Sequence, residues 1–141
     1  MATTPTLLPL RFAVRYAIVL FALGFALGTI RTLYLAPRIG ALAAVAIELP
    51  LMLLASWFYS RYLRHKLLPA HHWPSLLLAG MAAFALLMAF EFTMAVLLFK
   101  QTPAAFAASL QTTAGMLGLL GQMAFGLIPL LQGLVSKTTA T

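Results

Sequence analysis

The chain has 141 residues, of which 63% are hydrophobic and 8% charged, with a net charge of +7 and a mean hydropathy of +1.01. So few charges could not cover the surface of a soluble domain, and lipid is therefore the expected solvent for most of the chain. The nine Lys and Arg sit at the ends of apolar runs, not in the clustered basic face that nucleic acid requires, and the absence of Cys excludes disulfides, thiolate metal sites and cysteine nucleophiles.

Residues 1–9 carry two prolines and no usable period, so they read as a short lead-in. Arg11 and Arg15 precede the first apolar run, which superficially resembles a secretory signal; because a second apolar hairpin follows, it is read as an uncleaved first span over Phe12–Leu33. Gly24 and Gly28 form a GxxxG pair with Arg31 three residues further on the same helical face, which predicts close approach of another backbone there. Pro37 is expected to stop this helix, leaving Tyr34–Gly40 as a tight connection with Arg38 at the interface.

The second span is expected over Ile39–Tyr59, with an alanine-rich first half, Glu48 within it and a kink at Pro50. Arg61–Pro74 is the most basic segment and holds His65, His71 and His72. It reads as a headgroup-level loop, since two adjacent histidines with no nearby carboxylate make a poor metal shell, and neither metal nor cofactor is expected.

The third span, Ser75–Phe99, carries Glu91 and a recurrence of methionines read as core filling. Thr102–Pro103 offers a helix cap followed by proline at the first helical position. The last span, Thr113–Val135, places Gln122 among Gly115, Gly118, Gly121 and Gly126, a face suited to close contact, with Pro129 expected to bend it. The fold expected is all-α: a single membrane domain forming a bundle of four transmembrane helices.

With four spans the termini share one side with the central loop. Arg11, Arg15, Arg61, Arg64, Lys66 and Lys137 lie on that side, against Arg31, Arg38 and Lys100 on the other, so both termini are expected in the cytoplasm of a bacterial inner membrane. From the helical rise, Glu48 and Glu91 each lie about 12–14 Å below the outer surface, in one layer that Arg31 and Gln122 can reach. An uncompensated charge at that depth costs about 3 kcal/mol, so the glutamates should face the bundle and be paired or neutral, with Glu48 against Arg31 or Arg38.

The elements Gly28-Thr29-x-Arg31, Pro37-Arg38-x-Gly40 and Glu48-x-Pro50 resemble the first hairpin of small, uncharacterised bacterial four-helix integral membrane proteins, over residues 24–53. The resemblance implies a four-helix membrane fold and brings no activity with it. Short loops and the lack of a nucleophile–base pair favour a non-enzymatic accessory or structural subunit, working with other membrane subunits or with copies of itself. The alternative is a small oligomeric proton-coupled transporter or ligand-binding protein using Glu48 and Glu91.

Overall fold

The computed structural model describes residues 7–68 and 72–139, with side chains through residue 137. His71 and the first six residues of the expected lead-in lie outside the described residues. The described chain is all-helical: α1 Leu7–Ile30, a π-helical turn Arg31–Leu35, α2 Ala36–Ile39, α3 Ala41–Leu67, α4 Trp73–Leu97, α5 Pro103–Leu110 and α6 Thr113–Thr139. Four helical stretches, Leu7–Ile39, Ala41–Leu67, Trp73–Leu97 and Thr113–Lys137, are long and apolar enough to cross a membrane, which makes this a multi-pass membrane protein with a four-helix bundle. Around the bundle the order is α1, α4, α6, α3, each helix packing on the next and α3 closing on α1.

Pro37 does not stop the first helix. A proline ring clashes with the carbonyl four residues back and offers no N–H to it, here that of Leu33. The chain absorbs this by widening into a π turn over Arg31–Leu35, closed by the Ala36 N–H donating to the Arg31 carbonyl, and helix resumes through Ile39. The reversal is then made by Gly40, whose φ of 89° and ψ of 157° suit glycine alone. α3 continues past Tyr59 to Leu67, carrying Ser60 and most of the basic segment into regular helix. The helix also runs unbroken through Pro50, which is exposed.

α4 ends with Lys100 in the left-handed region at φ 57°, where the Gln101 N–H bonds the Ala95 carbonyl at 2.9 Å. Thr102 caps α5 by accepting from the Ala105 N–H at 3.0 Å, with Pro103 at the first helical position. Thr112 does the same for α6, accepting from the Gly115 N–H at 3.0 Å.

The bundle is packed unevenly along its length. At the end where the chain termini lie, Phe12, Tyr16, Leu20, Leu63, Leu76 and Phe125 are almost fully buried around Ala13, Ala17, Ala79 and Ala83. Here α4 and α6 touch backbone to backbone, because a Cβ on Gly80 would collide with the Gly126 carbonyl. Gly121 and Gly133 instead make room for side chains, those of Leu49 and Leu76. The glycines singled out from the sequence behave differently. A Cβ on Gly24 would meet only the Met52 side chain at 3.3 Å, one on Gly28 would meet Arg31 of its own helix at 3.4 Å, and one on Gly118 would meet nothing within 4 Å. Gly115 is close to a backbone, that of Ser109 in the preceding α5.

Candidate functional site

Toward the opposite end, where Gly40 and Lys100 turn the two hairpins, the helices separate around a half-open cavity of about 890 Å³. All four long helices line it, and Phe106, Ser109 and Leu110 of α5 border its mouth. Its walls are mostly apolar, formed by residues such as Leu20, Phe21, Leu49, Met52, Leu87 and Phe125, and the polar side chains that line it include Arg31, Glu48, Glu91 and Gln122.

Arg31 begins the π turn that Pro37 imposes. Its Nε lies 2.9 Å from Glu48 Oε2 on α3, with the two side chains 33% and 16% exposed, so the charges meet at the edge of the cavity and not in a fully dry core. Both atoms are shielded from solvent and have no other partner; they meet as an ion pair, not as a well-aligned hydrogen bond. Across the cavity, Gln122 Nε2 on α6 donates to Glu91 Oε1 on α4 at 2.5 Å. Glu91 is within electrostatic reach of both Arg31 and Glu48, yet no cation among the described residues stands at ion-pair distance from it. Gln122 Oε1 is buried without a donor. The layer is therefore two pairs, Arg31–Glu48 and Glu91–Gln122, with two carboxylates against one guanidinium. Arg38 stands apart: beyond the π turn it is exposed at the hairpin end and makes no ion pair among the described residues.

A second set of polar contacts, on residues to which the sequence drew no attention, closes the bundle below the cavity. Ser60 Oγ donates to Gln132 Oε1 at 2.9 Å, and Gln132 Nε2 donates to the Trp57 carbonyl at 2.7 Å, joining α3 to α6 in a buried clamp. Tyr16 OH donates to the Phe125 carbonyl at 3.0 Å, across the diagonal from α1 to α6. Its ring also stacks on Phe125 with centroids 4.1 Å apart. That carbonyl is the one Pro129 cannot serve, lying four residues before it, so the tyrosine hydroxyl replaces a missing backbone donor. Pro129 was the available signal: an orphaned carbonyl in lipid demands a donor, and Tyr16 is the buried hydroxyl at the matching depth.

His65 is exposed on α3 and His72 is exposed ahead of α4, and no group of three metal-binding side chains occurs among the described residues. Comparisons with protein-family models, with curated proteins and with solved structures find no match to the chain. The class of the molecule thus rests on its own geometry: a multi-pass four-helix membrane protein with a polar-edged cavity.

Proposed function

We propose that this protein is a non-enzymatic integral membrane protein of the bacterial inner membrane that binds a small, polar-headed ligand in the cavity edged by Arg31, Glu48, Glu91 and Gln122. The observation that carries the reading is that the polar layer borders an open volume of about 890 Å³, a size typical of ligand sites, instead of being clasped between packed helices. A purely structural layer needs no such space.

Besides short loops and the lack of a nucleophile–base pair, the accessory-subunit reading of the sequence drew on small-residue faces suited to helix association. Gly80, Gly121, Gly126 and Gly133 spend theirs inside the bundle, and Gly28 and Gly118 open into the cavity, so these glycines lend that reading no support. Proton-coupled transport gains no support from the close packing of Leu20, Leu87 and Phe125 directly below the layer. The excess of basic residues at the terminal end supports cytoplasmic termini.

Gly118→Trp tests the reading, because Gly118 lines the cavity and has nothing within 4 Å of its Cβ position. The variant should melt at or above the wild-type temperature while losing the small molecule that wild-type protein retains through purification in mild detergent, measured by mass spectrometry of the extracted ligand. Equal retention by both proteins would defeat the proposal. A larger protein partner held stoichiometrically by both, with no small molecule on either, would restore the accessory-subunit reading.

A further inference from the structure

Beside the cavity, on the lipid-facing side of the α1–α4 contact, lies a groove of about 450 Å³ lined by Phe21, Phe90, Thr93, Met94, Leu97 and Leu98. The only side-chain hydroxyl lining it is satisfied, for Thr93 Oγ1 donates to the Ala89 carbonyl at 2.7 Å. The groove is thus apolar in effect. It also shares Phe21, Met94 and Leu98 with the cavity wall, so the two volumes adjoin along α1 and α4.

We infer that the cavity and this groove together form one site for a single-chain amphiphile with an ammonium headgroup, the chain lying between α1 and α4 and the headgroup against Glu91. The inference rests on the cavity reading above and adds the ligand's chemical class and its route. The sign of the headgroup follows from the pairing within the layer. Arg31 is taken by Glu48, which leaves Glu91 held only by the neutral Gln122 amide and the layer with two carboxylates against one guanidinium. A carboxylate in apolar surroundings favours a cation beside it, and an ammonium group would make the layer neutral while offering donors to acceptors that lack them. The chain follows from the groove: a water-soluble cation would leave it unused, whereas a molecule already dissolved in the bilayer reaches the headgroup position by sliding along α1 and α4. A ligand of this kind enters from the lipid and does not need the mouth bordered by α5.

Native mass spectrometry of the protein released from neutral maltoside micelles provides the test, with dodecylammonium, dodecyl sulfate, dodecanol and butylammonium as probes. Dodecylammonium should bind about ten-fold or more tighter than dodecyl sulfate or butylammonium. Glu91→Gln should remove the headgroup preference and Thr93→Trp, which fills the groove, should remove the chain-length preference; melting temperatures near wild type show that both variants remain folded. Dodecyl sulfate binding as tightly as dodecylammonium would overturn the inference, as would butylammonium matching its longer analogue. If all the long-chain probes bind alike and Gly118→Trp abolishes them together, the cavity is a ligand site but the ammonium class is wrong. If no probe binds wild-type protein, the inference fails while the retained-ligand experiment still decides the cavity reading.

Discussion

Arg31 ties the polar layer to the backbone irregularity that positions it. Its carbonyl accepts the hydrogen bond that closes the π turn, and its side chain leaves that turn toward Glu48. The two partners are not equivalent in what their removal exposes. Truncating Arg31 leaves a carboxylate, 16% exposed, without its cation, whereas Glu48→Gln leaves an amide that still offers an oxygen to Nε. Arg31→Ala should therefore destabilise the protein by about 1–3 kcal/mol, the lower part of the range applying because a third of the arginine side chain is exposed, and Glu48→Gln should cost less. Thermal melting of both variants in one detergent checks the order; a larger loss for Glu48→Gln would mean that the pair is held for the sake of the cation.

At the scale of whole helices, proline sets both the site and the closure beneath it. Pro37 lengthens the first helix through a π turn instead of ending it, which keeps Arg31 on continuous helix at the depth of Glu48. Pro129 frees the Phe125 carbonyl, and α1 answers with Tyr16. If the hydroxyl serves that purpose, its value must depend on the proline. Tyr16→Phe should cost about 1–2 kcal/mol in the wild-type background, where it strands a buried carbonyl. In a Pro129→Ala background the backbone N–H gained at that position restores the ordinary helical bond, and the same substitution should cost markedly less. The coupling is read from a double-mutant cycle of melting or denaturant stability, and additivity of the two changes would remove the explanation.

For the molecule as a whole, four spans were legible because bilayer thickness dictates the length of an apolar helix, and the carboxylate layer because helical rise converts sequence distance into depth. The ends of the helices were not. A proline reads as a stop unless the backbone has another way to accommodate it, and nothing in YLAPRIG distinguishes a π turn from a break. Which glycines meet a backbone was also hidden, since Gly80 and Gly126 acquire their meaning from the rotation of α4 against α6, whereas the Gly24–Gly28 spacing is visible along one helix and leads only to Met52 and Arg31. The cavity, being space between helices, has no residue that announces it. Orientation is the property of the whole chain that remains most directly testable, and the fold changes how to test it. Ser60, just beyond the second span as read from sequence, is buried against Gln132 and unsuited to labelling. Lys66 and Lys137 are exposed at the terminal end, and Gln101 is exposed at the hairpin end. In the cysteine-free background, a membrane-impermeant thiol reagent applied to intact cells should label Gln101→Cys, and should reach Lys66→Cys and Lys137→Cys only after permeabilisation. The reverse pattern would invert the protein in the membrane without touching the bundle, while labelling of Lys66→Cys and Lys137→Cys from opposite sides would contradict the four-helix topology itself.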